Sequence, residues 1–391
     1  MLEVRTIYYT GPMHILLATP LVPPEIGGPA TYTKKLAERW HRKHHLTVVT
    51  YATTSERIPD VAFFTVSKNR PLPIRLLKYF LVLHRAAKDA DIIYVQNAVA
   101  AGLPAVVVGL MRHIPVVLKF VGDEAWERAT QRRETTKRLE EYLDAPEGGA
   151  YVRFLGMIQG WVLRHATVVT TPSVYLREAI IKAYRVRPEQ AVVNYNAAEE
   201  TEAPPFEAVR KIHQLVTTAR LVAWKGIDGI IEAVALLTER FPDITLVVAG
   251  DGPEEARYRA LAEKLRVADR VTFLGRISRA ETWHLRMGSA VYVLNSTYEG
   301  LPHTVLTSFA AKIPIVATNI PGTNEAVYHE KSGLLVEAGN VAELADAIAR
   351  LLTDEPLRAK VVAGGTRLLE EKFSWEAHQD SLERLFASLV Q

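Results

Sequence analysis

Short apolar runs alternate along this chain with stretches in which apolar positions recur every three or four residues. The runs are rich in Val and Ile and are apolar at nearly every position, as parallel strands covered on both faces are. We predict strands at residues 14–18, 47–50, 92–96, 116–120, 168–171, 192–194, 214–219, 245–249, 271–274, 290–294, 315–318 and 333–336. Helical periodicity predicts helices at residues 31–42, 227–239, 254–265, 303–312 and 341–352. This alternation predicts an α/β fold.

The predicted elements form two groups, separated by a segment with almost nothing to bury. Residues 197–212 include Glu199, Glu200, Pro204 and Pro205, a composition that favours a linker. Each group is long enough for a βαβαβ unit, so we predict two Rossmann-like domains, residues 1–196 and 213–372. Ligands of such proteins bind between the domains, at the carboxyl ends of the strands. The loops after the strands are therefore where the chemistry is expected.

The composition is typical of a globular enzyme. Of the 391 residues, 48% are hydrophobic and 23% are charged. No apolar run reaches the roughly 18 residues of a membrane span, and the N-terminus lacks the residue order of a secretory signal. The absence of cysteine excludes disulfides and a cysteine nucleophile. We expect a cytoplasmic protein, with membrane association left open.

Charge is distributed unevenly between the two halves. Residues 1–200 carry a net charge of +7, and residues 201–391 carry −4. A basic first half indicates either an anionic partner or simply a solvated surface. Nucleic acid is not an expected partner, because no binding motif accompanies the charges. The histidines show no spacing typical of a metal site.

Residues 68–88 combine basic side chains with a helical apolar pattern. Arg75, Lys78 and Arg85 are interspersed with leucine, isoleucine and aromatic residues. We interpret the segment as a helix that packs on the sheet before the strand at residue 92. The alternative is peripheral contact of the first domain with an anionic membrane.

Several strand-end loops carry residues suited to a phosphorylated ligand. Gly27 and Gly28 precede the first helix, where backbone amides can approach a phosphate or a sugar closely. Arg220 and Lys225 place two cations in the loop after the strand at residues 214–219. Two fixed cations can neutralise a departing nucleoside diphosphate without a metal ion.

Two further loops of the second half resemble parts of a nucleotide site. Gly250 and Gly252 form a tight turn after a strand, with too few glycines for the dinucleotide fingerprint. Arg276 follows the strand at residues 271–274, in a loop whose backbone could meet a base.

The segment after the strand at residues 290–294 is the most specific. Glu299 follows the strand end, and Gly300 and Pro302 lead into the helix predicted from residue 303. Helix N-termini carry partial positive charge and bind diphosphates. A carboxylate beside them can accept hydrogen bonds from sugar hydroxyls.

In these motifs the chain resembles glycosyltransferase family 4, a group of retaining enzymes with the GT-B fold. Five segments stand in the family's order, namely residues 220–226, 249–253, 299–302, 314–318 and 373–376. The resemblance implies two Rossmann-like domains facing across a cleft, an N-terminal acceptor domain and a C-terminal donor domain. It also implies a closing helix, residues 373–391, that crosses back to the first domain, with Ser374 placed to cap it.

The resemblance assigns roles to individual residues. Arg220 and Lys225 are expected to hold the donor diphosphate, and Glu299 to contact the donor sugar as the first acid of a paired-glutamate motif. The full set of expected donor-binding residues is Gly27, Gly28, Gly250, Gly252, Arg276, Gly300, Leu301, His303, Thr304, Val305 and Thr307. The family's reaction is a front-face attack that retains configuration. It needs no metal and no cofactor beyond the nucleotide sugar, which is a co-substrate.

Three positions depart from the family pattern. Thr307 stands where the second acid, which binds the ribose hydroxyls, is usual, so that a charged contact is lost. Lys312 stands where glycine is usual. The loop after residues 116–120 lacks the usual histidine, and Asp123 is the candidate there for a polar role at the acceptor.

The function expected is a retaining, metal-independent transferase that uses a UDP- or GDP-sugar. Its acceptor is expected to be a saccharide or a lipid-linked compound. Two alternatives remain open: a nucleotide-sugar epimerase of GT-B type, and a nucleotide-sugar-binding protein whose catalysis is weakened by the departures at Thr307 and in the acceptor loop.

Overall fold

The structure is a computed structural model that describes residues 11–25, 28–52, 58–198 and 210–390. Contacts divide the chain into two units, residues 1–194 with 379–391, and residues 195–378. Most of the predicted linker, residues 199–209, lies outside the described residues. Its last part belongs to a strand that begins at Lys211.

Within the described residues, the first unit contains one parallel sheet of seven strands. They are β1 (His14–Thr19), β2 (His45–Thr50), β3 (Val61–Thr65), β4 (Ile92–Gln96), β5 (Val116–Lys119), β6 (Val168–Thr171) and β7 (Ala191–Val193), in the spatial order β3-β2-β1-β4-β5-β6-β7. The helices are α1 (Gly28–Trp40), α2 (Leu72–Ala86), α3 (Gly102–Arg112), α4 (Glu124–Gln131), α5 (Leu139–Asp144), α6 (Ala150–His165) and α7 (Val174–Tyr184).

The second unit repeats the plan with a parallel sheet of six strands among the residues described. Its elements are β8 (Lys211–Thr218), α8 (Ile227–Leu237), β9 (Thr245–Ala249), α9 (Glu255–Lys264), β10 (Val271–Gly275), α10 (Arg279–Met287), β11 (Ser289–Leu294), α11 (His303–Ala310), β12 (Ile315–Thr318), β13 (Leu334–Val336), α12 (Val341–Thr353) and α13 (Glu355–Lys372). The last helix, α14 (Trp375–Ala387), has its first four residues in this unit and the others in the first unit. The strand order is β10-β9-β8-β11-β12-β13.

Burial explains why these segments form strands. Strands β1, β4, β5, β6, β11 and β12 are buried at almost every residue, as strands between two helical layers must be. In the second unit, the apolar faces of α8 and α12 pack on this sheet to form a continuous core. The predicted α/β class with two Rossmann-like domains is confirmed.

The closing helix α14 begins at a side-chain cap, because Ser374 Oγ accepts a hydrogen bond from the amide of Ala377 at 3.2 Å. From Gln379 onward its residues belong to the first unit. There Phe386 is fully buried, and its ring packs edge-on against Trp40 and Tyr94, with centroid distances of 5.7 and 5.4 Å. The helix thus completes the core of the first unit.

No helix in the part of the chain that the structure describes combines the length and the hydrophobicity needed to cross a bilayer.

Candidate functional site

The strand-end loops of the second unit converge at the carboxyl edge of its sheet. The central contact is an ion pair: Lys225 Nζ lies 2.6 Å from Glu299 Oε1. Ser296, fully buried, donates from its hydroxyl to the same Glu299 oxygen at 2.7 Å. The Glu299 and Lys225 side chains are only 11% and 20% exposed. Two charged groups predicted in separate loops therefore meet, with the carboxylate held by two donors.

Backbone geometry fixes Lys225 in place. The residue ends a short 3-10 turn, and Gly226 follows in the left-handed conformation at φ 61° as the N-cap of α8. A Cβ at Gly226 would lie 2.1 Å from the carbonyl oxygen of Asn295. The Asn295 side chain in turn donates to the Gly226 carbonyl at 2.8 Å. Only glycine can stand at position 226, because the loops after β8 and β11 come too close there for a side chain.

Gly250 and Gly252 have a packing role that the sequence did not reveal. A Cβ at Gly250 would lie 1.8 Å from the Ala219 carbonyl oxygen, and one at Gly252 would lie 2.3 Å from that of Leu221. The amide of Leu221 also donates to the Asp251 carbonyl at 2.8 Å. The glycine turn thus lies directly against the backbone of the loop that carries Arg220. Its predicted contact with the donor stays a prediction.

Arg220 and Arg276 lie on either side of this turn and are both exposed. Arg276 Nε donates to Asp251 Oδ2 at 2.7 Å. This hydrogen bond holds the pKa of the Asp251 carboxyl below its usual range, and the charge of Arg220 acts in the same direction. Arg220 therefore lies close to the turn, and the contact predicted between Arg276 and a base stays a prediction.

Helix α11 presents its N-terminus directly after Glu299. Pro302 stands at the N-cap position, and no side chain there caps the helix. The Leu301 and Val305 side chains are buried in the core, so these two residues can offer only their backbone to a ligand. Gly322, at φ 81°, makes the loop possible, because a Cβ there would lie 2.2 Å from the Glu299 carbonyl oxygen.

In the first unit, the placement of Asp123 does not support the role predicted for it at the acceptor. The residue is 1% exposed and caps α4, with Oδ1 accepting from the Trp126 amide at 2.8 Å. Its Oδ2 accepts from Gln159 Nε2 at 2.8 Å and from the Tyr184 hydroxyl. Burial raises the pKa of Asp123, against the opposing effect of these hydrogen bonds. The carboxylate is buried, and both of its oxygens accept hydrogen bonds from neighbouring groups.

Gly28 is the first residue of α1, and Gly27 lies outside the described residues. The second turn of α1 contacts side chains from the neighbouring strand ends. Gln96 Nε2 donates to Thr33 Oγ1 at 2.6 Å, and Lys119 Nζ lies 4.4 Å from the centre of the Tyr32 ring. Lys119 is 7% exposed, and burial lowers its pKa to about 7.

Among the described residues, no group of three or more His, Asp and Glu side chains is placed to hold a metal ion. That the reaction needs no metal ion stays a prediction, because the arrangement of these side chains does not test the reaction.

Comparison with known families decides what kind of protein carries these loops. A family model described as glycosyl transferases group 1 matches residues 200–368, and a glycosyl transferase 4-like domain matches residues 27–197. The chain belongs to the group 1 glycosyltransferases. The resemblance to family 4 found in the sequence is thereby confirmed.

Named relatives of this glycosyltransferase match over part of their length. A lipopolysaccharide core biosynthesis glycosyltransferase of Rhizobium meliloti is 33% identical over 209 residues, 54% of this chain and 57% of that protein. A GDP-mannose-dependent mannosyltransferase acting on phosphatidylinositol monomannoside, from Mycobacterium tuberculosis, is 32% identical over 169 residues, 41% and 44% of the two chains. The chain thus spans about half the length of these curated relatives.

Among solved structures, the glycosyltransferase is similar to Anabaena HepE in complex with UDP. The two share 21% identity and a TM-score of 0.71, over 95% of this chain and 99% of that one. At this identity the likeness concerns the fold alone, and it confirms the predicted GT-B class.

The structure accounts physically for two of the departures from the family 4 pattern. Thr307 Oγ1 donates back into α11, to the carbonyls of His303 and Thr304 at 3.0 and 3.1 Å. The threonine hydroxyl is therefore satisfied by carbonyl groups of its own helix. Lys312 has φ 52°, a left-handed conformation that glycine adopts most easily. This explains why glycine is usual there and shows that lysine accepts the strain.

Sequence reasoning missed Ser296, Asn295 and Gly322, which hold the Glu299 and Lys225 loops together. Ser296 and Asn295 directly follow the β11 strand, so their position was a usable signal. Gly322 follows β12 and contacts Glu299 through the tertiary fold alone.

Proposed function

We propose that this chain transfers a sugar from a nucleoside diphosphate to an acceptor hydroxyl, with retention of anomeric configuration and without a metal ion. The observation that carries the proposal is the Lys225–Glu299 ion pair, at 2.6 Å, directly before the N-terminus of α11. A cation, a carboxylate and a helix N-terminus are together suited to a sugar diphosphate.

In this mechanism Lys225 and Arg220 bind the diphosphate and stabilise the negative charge that develops on it as the bond to the sugar breaks. The backbone of α11's first turn adds hydrogen bonds to the phosphate oxygens. Glu299, held by Ser296 and Lys225, accepts hydrogen bonds from hydroxyls of the donor sugar. These two contacts, both to Oε1, fix the orientation of the carboxylate.

The transfer step balances without a cofactor. The bond between the sugar's anomeric carbon and the diphosphate oxygen breaks, and the acceptor oxygen forms a new bond to that carbon on the same face. The acceptor's proton passes to an oxygen of the departing diphosphate. No side chain of this chain is assigned as the base, because the one first predicted near the acceptor, Asp123, is buried and hydrogen-bonded at both oxygens.

The donor is a uridine or guanosine diphosphate sugar, and the acceptor a saccharide or lipid-linked saccharide. The UDP bound in the similar HepE structure supports uridine as the base, and the GDP-mannose-dependent relative supports guanosine.

The test is incubation with UDP- and GDP-sugars in the presence of EDTA and a pool of saccharide acceptors. A transferase releases free nucleoside diphosphate in step with a new glycoside. An epimerase changes the sugar without releasing nucleotide, and a binding protein shows affinity without either product. Complete loss of turnover with EDTA, restored by a divalent metal, contradicts the metal-free mechanism.

A further inference from the structure

Three helices of the first unit form one continuous outer surface. Helix α3 packs against both α2 and α6. The strands they connect run β3 to β4, β4 to β5 and β5 to β6, in one direction across the sheet. Right-handed crossovers in one direction place their helices on the same face of the sheet. The side chain of Arg112 on α3 also reaches His84 Nδ1 on α2, at 3.3 Å.

This surface exposes an unusual amount of apolar area. Eight large apolar side chains on the three helices are between 45% and 62% exposed, more than half of all such residues in the part of the chain that is described. They are Ile74, Leu77, Leu81, Leu110, Met111, Tyr151, Phe154 and Met157. Contiguous exposed apolar patches mark sites of interaction with proteins or membranes.

The charges on this surface all have one sign. Helices α2, α3 and α6 contain no Asp or Glu. Their basic side chains are Arg75, Lys78, Arg85, Arg112, Arg153 and Arg164. None of the six forms an ion pair with a carboxylate among the residues described. Near the start of α6, the carboxylate of Glu134 is paired with Arg132 at 2.6 Å. The three helices with these apolar and basic side chains are called the basic apolar face below.

Helix α2 shows the arrangement most clearly. Its exposed side chains Ile74, Leu77, Lys78, Leu81 and Arg85 recur every three or four residues and so form one stripe. The opposite stripe, with Tyr79 and Leu83, is fully buried on the sheet. The helix therefore does pack on the sheet, as its pattern predicts, and it also presents an amphipathic outer side.

We propose that the basic apolar face docks on the surface of a bilayer that contains anionic lipids. Aliphatic and aromatic side chains enter the boundary between headgroups and acyl chains, and the cations lie at the level of the lipid phosphates. A second copy of the chain is a poor occupant, because a symmetric contact would bring six cations against six. The proposal does not depend on the chemistry at Lys225 and Glu299, which lie in the other unit.

The test is cosedimentation of the full chain with vesicles of phosphatidylcholine alone or mixed two to one with phosphatidylglycerol. Two double variants probe the face: Lys78→Glu with Arg85→Glu, and Leu77→Gln with Leu81→Gln. The matched control carries Lys264→Glu and Leu236→Gln, exposed residues of the second unit. All substituted side chains are at the surface, so each variant should unfold at the temperature of the unmodified chain.

We expect the chain and the control to bind the anionic vesicles at least about tenfold more tightly than the neutral ones. Each double variant of the face should weaken this binding by about tenfold or more, and high salt should weaken it for the unmodified chain. Equal binding to both vesicle types, no binding to either, or double variants that bind like the control would overturn the proposal. Sedimentation velocity tests the alternative that a second copy covers the face. A dimer that the Leu77→Gln with Leu81→Gln variant abolishes, in a chain that binds no vesicles, would also overturn the proposal.

Discussion

The ammonium nitrogen of Lys225 lies 2.6 Å from Oε1 of Glu299, although the two residues are 74 positions apart in the chain. The pair is mostly buried, so each charge is stabilised by the other in place of water, and Ser296 adds a hydrogen bond to Glu299. Removing one partner leaves the other charge without its counter-ion and without the contact that orients it. The pair therefore behaves as one functional unit, and single substitutions should not have additive effects.

Lys225→Ala should lower turnover by about two to three orders of magnitude, because the leaving diphosphate loses a fixed cation. The measurement is the rate of nucleoside diphosphate release under saturating donor. Lys264→Ala, at an exposed lysine of α9, is the control and should be within twofold of the unmodified chain. Near-normal turnover of Lys225→Ala would remove this lysine from the mechanism.

Gly226→Ala should destabilise the second unit more than Gly275→Ala. Both glycines are left-handed, with φ 61° and 65°, so both substitutions carry a backbone cost of about 1 kcal/mol or more. Only at Gly226 does a Cβ also collide with Asn295, at 2.1 Å, whereas nothing lies within 4 Å of one at Gly275. Thermal unfolding followed by circular dichroism compares the two. Equal unfolding midpoints for the two variants would mean that Gly226 and Asn295 do not approach each other as closely as the structure shows.

Most of the framework was predictable because it depends on local pattern. Strands such as Ile92–Gln96 and Ile315–Thr318 are buried on both faces, and their apolar runs identify them without knowledge of the rest of the chain. Strand β3, Val61–Thr65, was missed. It lies at the sheet edge, and none of its five residues is fully buried. Its first four residues are all apolar, so the sequence did contain a usable signal for this strand.

The site was predictable only in part. The loops that carry Lys225 and Glu299 could be found from glycines and charges at strand ends, but their contact depends on the pairing of β8 with β11. Asp123 shows a second limit of reasoning from the sequence. Its position after a strand suggested chemistry, whereas its burial against Gln159 and Tyr184 is a product of tertiary packing that no local pattern reveals.

Thr307→Glu should tighten nucleotide binding several-fold, because an added carboxylate can accept hydrogen bonds from ribose hydroxyls. Thr307→Gln is the control, because glutamine is similar in size to glutamate and carries no charge. It should increase the affinity for the nucleotide less than Thr307→Glu does. Titration calorimetry with UDP and GDP measures both. If neither variant binds more tightly than the unmodified chain, the site has been rebuilt around threonine, whose hydroxyl bonds to His303 and Thr304.

Stability should rise between pH 7 and pH 9 through Lys119. Burial lowers its pKa to about 7 in the folded chain, from 10.5. Between these values the unfolded chain binds more protons, so the free energy of unfolding increases with pH, by at most about 1.4 kcal/mol per pH unit from this group. Urea denaturation at pH 7, 8 and 9 measures the slope.

Lys119→Met supplies the control for that slope, because it keeps an unbranched side chain and removes the titrating group. The variant should show a flatter dependence on pH over the same range. An identical slope in the two proteins would mean that Lys119 stays protonated throughout.

The central claim is that the strand-end loops of the second unit bind a nucleoside diphosphate through Lys225. The most direct measurement is a thermal-shift comparison of the unmodified chain and Lys225→Ala with UDP, GDP, ADP and the corresponding sugars. A ligand at one hundred times its dissociation constant should stabilise the unmodified chain by about 2.7 kcal/mol. We predict a clear shift with the uridine or guanosine compounds and a much smaller one in Lys225→Ala. No shift with any nucleoside diphosphate, or an equal shift in the variant, would contradict the account.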